Sequence, residues 1–385
     1  MPNISLRGIT MPESPIRKLV PLADKTKARG VKVYHLNIGQ PDILTPQVGL
    51  DALQHIERTI LEYCPSDGLR SFREKLVKYY DKFDIKVDVD DIIITTGGSE
   101  AIHFAFNACL DPGDEIIIPE PAYANYMAFA ISVGAKIKTI QTHIEDGFAL
   151  PPIEKFEELI TPKTKAIMIC NPNNPTGYLY NQQEMNQLRD ILKKHDLFLF
   201  SDEVYREFCY TGEPYISCFH LKGIEQNVIL IDSVSKRYSE CGIRVGAIIT
   251  KNKAIKESVM KWCQARLSPP LLGQIVAEAS LDAPEAYMKS VYDEYISRRD
   301  FLVERLNRIP GCYTPVPKGA FYTVARLPID DADKFCAWCL NDFSFEGQTV
   351  MLAPASGFYS NPGIGCNEVR IAYVLNREDL DKALT

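Results

Sequence analysis

Between residues 91 and 250, short apolar runs alternate with longer amphipathic segments, and this alternation limits the possible folds more than any other feature. Each run is too short for a helix and nearly continuous in Ile, Val, Leu or Phe, which is typical of strands buried on both faces of a parallel sheet. The segments between them, such as SEAIHFAFNACL, repeat apolar residues at helical spacing. The pattern predicts an open α/β fold with a mainly parallel sheet of about seven strands between helices. The predicted strands are 92–96, 115–118, 136–141, 165–170, 197–201, 228–232 and 244–250.

The two ends of the chain have a different pattern. The segment YMKSVYDEYISRRDFLVERLNRI predicts a long helix, and PKGAFYTVARL and NEVRIAYV predict strands of a separate, smaller sheet. The first 45 residues are rich in Pro and Gly and are too few for a core of their own, so we expect them to pack onto the C-terminal unit. We therefore predict a large domain over 46–285 and a smaller, discontinuous α+β domain made from 1–45 and 286–385.

Charge and hydropathy exclude several classes of partner. Acidic residues outnumber basic ones by 50 to 43, and the net charge of −7 is spread without long runs of either sign, which argues against a dedicated nucleic-acid-binding protein. No apolar stretch approaches the roughly 18 residues of a membrane span, and the polar N-terminus lacks the apolar core of a secretory signal. Composition thus favours a soluble cytoplasmic protein without nucleic-acid or membrane partners.

The eleven cysteines are odd in number, and most lie inside apolar runs, so we expect reduced, buried thiols rather than a disulfide framework. Cys336 and Cys339 form a C-x-x-C that a redox or metal site would also use. The surrounding DADKFCAWCLNDF has helical periodicity, and a second C-x-x-C is absent from the sequence. A structural role is the better interpretation, and no metal site is predicted.

Ligands of open parallel sheets bind beyond the carboxyl ends of the strands, so the residues that follow each predicted strand are informative. The first strand is followed by Gly97-Gly98-Ser99-Glu100, which opens a helix and suits either a phosphate or a simple helix cap. The fourth is followed by NPNNPTG (171–177), a rigid polar turn that would present Asn174 accurately to a ligand.

Two further strands end in charged residues. The fifth is followed by SDEVY, which puts Asp202 at the sheet edge with Tyr205 three residues on, although Asp202 alone is also consistent with a helix cap. The sixth is followed by SVSKR, with Lys236 among hydroxyl groups and Arg244 eight residues beyond it. Neighbouring positive charge and partial burial both disfavour the ammonium form, and a deprotonated amine is what Schiff-base chemistry requires; the alternative is a solvated lysine.

A phosphate nest, an aspartate, a tyrosine, an asparagine turn and a lysine at one sheet edge match what pyridoxal 5′-phosphate (PLP) needs from a protein. Along nearly its whole length the sequence resembles the class I/II aminotransferases, the fold type I PLP enzymes of the aspartate aminotransferase superfamily. The resemblance rests on GQPD (39–42), NPNNPTG, SDEVY, SVSK with an arginine eight residues on, and VRIAY (369–373). Together, in this order, these motifs are highly specific.

The resemblance implies a role for each residue of the cofactor site. Lys236 would form the Schiff base with PLP and later carry the substrate proton, Asp202 would pair with the pyridine nitrogen, and Asn174 and Tyr205 would bind the ring oxygen. The remaining cofactor contacts implied are ring stacking by Tyr123 and phosphate binding by Ser99, Glu100, Ser233, Ser235 and Arg244.

The resemblance also implies a substrate clamp and a partner subunit. Arg370 would bind the substrate α-carboxylate through its bidentate guanidinium, and Gly39 and Asn174 would line the same pocket. Tyr63 would reach the phosphate of the neighbouring subunit's cofactor, which makes the expected assembly a homodimer with shared active sites.

The activity implied is transamination from an L-amino acid to a 2-oxo acid, with aspartate, glutamate or another donor and 2-oxoglutarate as the expected acceptor. Carbon–sulfur β-lyases and cyclopropane-forming synthases use the same scaffold, as do non-enzymatic amino-acid-sensing regulators. The α/β pattern alone would also allow a nicotinamide dehydrogenase, but no strand is followed by G-x-G-x-x-G. Some bacterial aspartate-type relatives carry a lysine at the position of Ser99, and this chain does not. We therefore consider Arg266 as a reader of a distal substrate carboxylate, against a structural role.

Overall fold

The computed structural model describes residues 2–385, so residue 1 of the predicted small domain lies outside the described part of the chain. Its strands in chain order are β1 (Lys32–His35), β2 (Ile92–Thr95), β3 (Glu115–Glu120), β4 (Lys136–Gln141), β5 (Thr164–Cys170), β6 (Phe198–Asp202), β7 (Val228–Ser233), β8 (Gly246–Ile249), β9 (Tyr322–Arg326), β10 (Gln348–Met351), β11 (Ala353–Pro354) and β12 (Glu368–Ala372).

Helices occupy most of the segments between these strands. In chain order they are α1 (Leu6–Thr10), α2 (Val20–Ala28), α3 (Gln47–Gln54), α4 (Arg70–Asp81), α5 (Gly97–Cys109), α6 (Asn125–Val133), α7 (Glu154–Leu159), α8 (Gln182–His195), α9 (Val234–Arg237), α10 (Lys253–Arg266), α11 (Leu271–Ser280), α12 (Glu285–Asn307), α13 (Ala332–Asn341) and α14 (Arg377–Leu384). Across residues 2–385, none of these helices has the length and apolar character needed to cross a lipid bilayer.

The prediction of a mainly parallel sheet of about seven strands is confirmed. In the described chain, seven strands pair in the order β2-β8-β7-β6-β5-β3-β4, and only β8 runs antiparallel to its neighbours. The predicted strand 244–250 is shorter in the structure because Arg244 has a left-handed backbone, with φ of 57°. The chain leaves the sheet at the end of β7, and the turn at Arg244 directs it back into the sheet as β8.

Both faces of this sheet are buried, which explains why its strands have continuous apolar runs. Ile116 and Ile118 of β3 face one hydrophobic cluster, and Ile117 between them faces the other. Helix α5 contributes Ala105 to the first cluster, whereas α8 contributes Leu188 to the second. A strand with helices on both sides alternates between two apolar environments, so no polar face appears in its sequence.

The two chain ends build smaller sheets together. Strands β9, β11 and β12 form an antiparallel sheet, while β1 near the N-terminus pairs in parallel with β10 near the C-terminus. The backbone carbonyl of Leu36 accepts a hydrogen bond from Ala372 N at 2.8 Å. These contacts support a small domain made from both ends of the chain, and the boundaries at 45/46 and 285/286 stay a prediction.

Cys336 and Cys339 lie in α13, and both thiols are buried. Burial raises the pKa of Cys336, and it raises the pKa of Cys339 to about 11, so neither thiol is activated. Within residues 2–385, no three His, Cys, Asp or Glu side chains are grouped closely enough to hold a metal ion. These observations favour a packing role for the pair.

Candidate active site

A cavity of about 770 Å³ lies at the carboxyl edge of the large sheet and receives residues from both chain ends. Its volume is in the range of sites that bind cofactors and small substrates. Two of the predicted site residues, Glu100 and Tyr63, do not line it. The predicted residues that do line it are Gly39, Ser99, Tyr123, Asn174, Asp202, Tyr205, Ser233, Ser235, Lys236, Arg244 and Arg370.

Lys236 lies in the single turn of α9, directly after β7. The side chain of Ser233 caps this turn by accepting a hydrogen bond from Ser235 N at 3.2 Å. Lys236 Nζ donates a hydrogen bond to the carbonyl oxygen of Gly39 at 2.7 Å and lies 3.8 Å from Cys241 Sγ. The lysine is half-buried and has no carboxylate partner within the described chain. Its amine is therefore held in the cavity by neutral groups.

The residue after this lysine turns away from the cavity and anchors α9 beneath the sheet edge. Arg237 is 1% exposed and donates from Nη2 to both carboxylate oxygens of Asp232, at 3.0 and 2.7 Å. Burial alone would raise the pKa of Asp232, but the positive charges of Arg237 and Arg206 outweigh it and hold the pKa below its ordinary value. This buried ion pair fixes the turn that presents Lys236.

Asp202, the last residue of β6, is a buried carboxylate of a different kind. Tyr126 Oη donates to its Oδ2 at 2.7 Å, and Val204 N donates to Oδ1 at 3.4 Å. Burial raises the pKa of Asp202 to about 6, against the lowering effect of these hydrogen bonds. No Lys or Arg of residues 2–385 forms an ion pair with it. A protonated ring nitrogen in the cavity would supply the missing positive charge.

The NPNNPTG turn is rigid in the way that its composition predicts. Asn173 Oδ1 accepts hydrogen bonds from Thr176 N at 3.1 Å and Thr176 Oγ1 at 2.9 Å, which closes the turn. Asn174 Nδ2 then donates to Tyr205 Oη at 3.4 Å, and Tyr205 Oη lies 3.0 Å from Tyr322 Oη. Asn174 and Tyr205 thus form one polar chain along the cavity wall.

Arg370 lies on β12 with its guanidinium buried in the cavity wall. Nη1 donates to Asn174 Oδ1 at 3.1 Å, Nη2 donates to the carbonyl of Asn37, and Nε is buried without a hydrogen-bond partner among the described residues. The rings of Tyr322 and Phe358 lie 4.7 and 4.9 Å from the guanidinium carbon. Burial lowers the pKa of Arg370, so a bound anion would relieve an uncompensated charge.

The other end of the cavity lies at the N-terminus of α5. Gly97 has φ of 75°, and a Cβ added there would lie 2.5 Å from Arg244 Nη2, so glycine allows this guanidinium to lie against the helix start. The hydroxyls of Ser233 and Ser235 are 2.9 Å apart beside it. Amide groups at a helix start, hydroxyls and a guanidinium are the donors that a phosphate accepts. The Glu100 carboxylate instead accepts from Thr96 N at 2.7 Å, which leaves only its backbone for this purpose.

The two remaining predicted aromatics lie in different surroundings. Tyr123 is half-buried in the cavity wall, where Asn125 Nδ2 donates to its hydroxyl at 2.7 Å and its ring makes an edge contact with Tyr126. Tyr63 is 77% exposed, away from the cavity. Its predicted contact with a neighbouring subunit's cofactor stays a prediction.

Arg266 ends α10 and does not line the cavity. Its Nη2 donates to the carbonyls of Ser66 at 3.2 Å and Ile94 at 3.4 Å, and its Nε lies 3.7 Å from Glu100 Oε2. Nε and Nη1 of Arg266 are buried without a hydrogen-bond partner among residues 2–385, so these contacts use only part of the guanidinium. The hypothesis that Arg266 reads a distal substrate carboxylate stays a prediction.

Several residues of the site carried no recognisable signal in the sequence. Asn37 and Tyr322 hold Arg370 and Tyr205, and Tyr126 hydrogen-bonds Asp202. They come from a loop, a strand start and a helix, and only the tertiary fold brings them to the cavity. Cys241 was recognisable only by its position between Lys236 and Arg244.

The groups at this edge fit PLP. A buried aspartate without a cationic partner, an amine held by neutral groups and a phosphate-binding helix start are what a protein supplies to this cofactor. Arg370 Nε, a buried donor without a partner among residues 2–385, adds a position for an anion. The fold and the cavity together define a PLP-dependent enzyme.

Comparison with known proteins identifies the family. The family model described as "Aminotransferase class I and II" matches residues 31–385. An aspartate aminotransferase of Thermotoga maritima is 32% identical over 377 residues, covering 97% of this chain and 96% of that protein. One of Pyrococcus horikoshii is 31% identical over 387 residues, covering 99% and 95%. A solved alanine aminotransferase from Pyrococcus furiosus has a TM-score of 0.90 at 31% identity, covering 99% and 98%. The chain belongs to the class I and II aminotransferase family and is a PLP-dependent transaminase.

Proposed function

We propose that this transaminase moves the amino group of an L-amino acid to a 2-oxo acid, with PLP held covalently by Lys236. The observation that carries the proposal is the position of the Lys236 amine in the cavity. Among the described residues that line the cavity, Lys236 is the only lysine, and its Nζ is 2.7 Å from a carbonyl oxygen rather than a carboxylate. Lys236 is therefore the one lysine amine, among the described residues that line the cavity, that could join an aldehyde bound there.

PLP, when bound, supplies an aldehyde that joins amines and a ring that withdraws electrons from the substrate. Asp202 would hold the proton on the ring nitrogen, because its buried carboxylate lacks any other cationic partner in the described chain. Asn174 and Tyr205 would donate hydrogen bonds to the ring oxygen from the polar chain described above. Once released from the cofactor, Lys236 Nζ would move the proton to and from the substrate Cα.

Arg370 would orient both substrates. Every amino-acid donor and every 2-oxo acid acceptor carries an α-carboxylate, so one clamp suits both half-reactions. The buried guanidinium, with Nε unpaired and Nη1 on the amide oxygen of Asn174, offers a fork for that carboxylate. Gly39 allows the backbone to approach Tyr322 in this part of the cavity wall, since a Cβ there would lie 1.6 Å from Tyr322 Oη.

We also propose a homodimer in which Tyr63 completes the neighbouring subunit's phosphate site. Ile60, Leu61 and Tyr63 are 73%, 61% and 77% exposed, which is unusual for three large apolar side chains so close in sequence. A second copy of the chain would cover them. The cytoplasmic location stays a prediction from composition.

A half-reaction without an acceptor tests the proposed function. Purified holoenzyme is mixed with L-glutamate or another amino acid, and the 2-oxo acid released is measured per active site. We expect one equivalent of 2-oxo acid per active site, after which release stops. Release should resume when an acceptor oxo acid is added. Lys236→Ala should release none. Continuous release of ammonia and oxo acid without an acceptor would instead indicate a β-lyase and contradict the proposal.

A further inference from the structure

A third arginine, besides Arg244 and Arg370, reaches the same cavity from the N-terminal segment. Arg17 lies between α1 and α2, and its exposed side chain lines the cavity that also contains Arg370. Ser14 and Ile16 of the same segment line this cavity too. The sequence patterns gave no reason to select Arg17, because the segment contains no catalytic motif.

The segment that carries Arg17 is held in place rather than loosely attached. Pro15 packs against Gly357 so closely that a Cβ on that glycine would lie 2.1 Å from Pro15 Cβ. Asn37 Nδ2 donates to the carbonyl of Ile16 at 3.5 Å, while the carbonyl of Asn37 accepts from Arg370. One residue thus links the segment of Arg17 to the buried guanidinium of Arg370.

The charge of Arg17 is uncompensated, unlike that of its neighbour. Lys18 forms an ion pair with Asp333 on α13. Within residues 2–385, the Arg17 side chain forms no ion pair and no hydrogen bond; only its backbone is bonded, with N–H donating to Ser14 and the carbonyl accepting from Val20 N. Burial raises the pKa of Tyr123 to about 12, and the positive charges of Arg370 and Arg17 both oppose that rise, which is consistent with both guanidiniums lying near its phenol.

We propose that Arg17 determines substrate specificity by binding the distal carboxylate of a dicarboxylic amino acid or oxo acid. This inference rests on the proposed function, in which Arg370 binds the α-carboxylate. Three arginines line the cavity, and Arg244 lies against the start of α5, where the phosphate is proposed to bind. Arg370 and Arg17 therefore remain for a ligand with two carboxylates. A monocarboxylate would leave Arg17 in solvent.

Binding of unreactive acids to the holoenzyme tests this proposal. Succinate and butyrate both have four carbons and differ by one carboxylate, and their dissociation constants are measured by titration calorimetry for the wild type, Arg17→Ala and Lys18→Ala. A charge-assisted hydrogen bond formed at a solvent-exposed arginine should favour succinate by about tenfold. Arg17→Ala should abolish that preference, Arg17→Lys should keep part of it, and Lys18→Ala should leave it unchanged.

Three results would overturn the proposal. They are a wild type that binds both acids equally, an Arg17→Ala variant that keeps the preference, and a Lys18→Ala variant that loses it as fully as Arg17→Ala. In steady-state assays, Arg17→Ala should raise KM for 2-oxoglutarate far more than KM for pyruvate. A wild type that discriminates between succinate and butyrate but transfers no amino group would refute the proposed function alone, because acid binding does not depend on turnover.

Discussion

The replacement Asp202→Asn should stabilise the cofactor-free protein while it impairs the holoenzyme. In the cofactor-free protein, the Asp202 carboxylate is buried, with two hydrogen-bond donors but no cationic partner among residues 2–385. Asparagine has the same shape and no charge, so it avoids the cost of keeping an unpaired anion out of water. With PLP bound, the same replacement removes the proposed partner of the ring nitrogen, so it should impair the holoenzyme instead of stabilising it.

The magnitude follows from the pKa. Burial raises the pKa of Asp202 from 3.8 to about 6, so its ionisation costs the folded protein about 3 kcal/mol above pH 6. The folded state binds the proton more tightly than the unfolded state, so the wild type loses stability as pH rises from about 4 to about 6. The asparagine amide forms less favourable hydrogen bonds with Tyr126 and Val204, which reduces the expected gain in stability by about 1 kcal/mol. We expect a net gain of about 2 kcal/mol at pH 8 that is absent at pH 4.

The assay is urea unfolding of the cofactor-free proteins at equal concentration, at pH 8 and pH 4. Asp232→Asn is the matched control, because Asp232 is equally buried but paired with Arg237 and Arg206. Breaking that pair should destabilise the protein at pH 8 by about 3 kcal/mol or more. An Asp202→Asn variant that is less stable than the wild type at pH 8, or a gain that does not depend on pH, would refute the reasoning.

Two further predictions concern other parts of the site. Gly39→Ala should raise KM for both substrates at least tenfold, because its Cβ would force Tyr322 Oη out of the cavity wall; an unchanged KM would contradict the close approach. Burial raises the pKa of Glu240 to about 7 despite the hydrogen bond from Ser280. Glu240→Gln should therefore stabilise the protein progressively as pH rises from about 4 to 7, with no further gain above pH 7. A gain already present at pH 4 would contradict this assignment.

The large sheet was predictable because each of its strands is buried on both faces. Continuous runs such as Ile116–Ile118 have no polar alternation that could be confused with an exposed strand, and helices of fitting length separate them. Strand ends were predicted less accurately. The left-handed turn at Arg244 shortens β8, and a residue with positive φ that is not glycine has no clear local signature.

The candidate site was predictable where its residues follow strands. Asp202 ends β6, and Lys236 and Asn174 follow shortly after the ends of β7 and β5, so the parallel topology alone brings them to one edge. Arg17 and Asn37 come from the N-terminal segment, whose position depends on packing against the C-terminal sheets. Long-range packing of that kind leaves no periodic pattern in a short segment, so neither residue could be selected before the structure was known.

The most direct test of the proposed chemistry is to identify the residue that carries the cofactor. Reduction of the holoenzyme with borohydride makes a carbon–nitrogen bond between PLP and its lysine permanent, and digestion followed by mass spectrometry locates the label. We predict one labelled peptide, the one that contains SVSK and Lys236, and no label in Lys236→Arg reconstituted with PLP. A label on any other lysine, or an unlabelled peptide in a holoenzyme that transfers amino groups, would contradict the account.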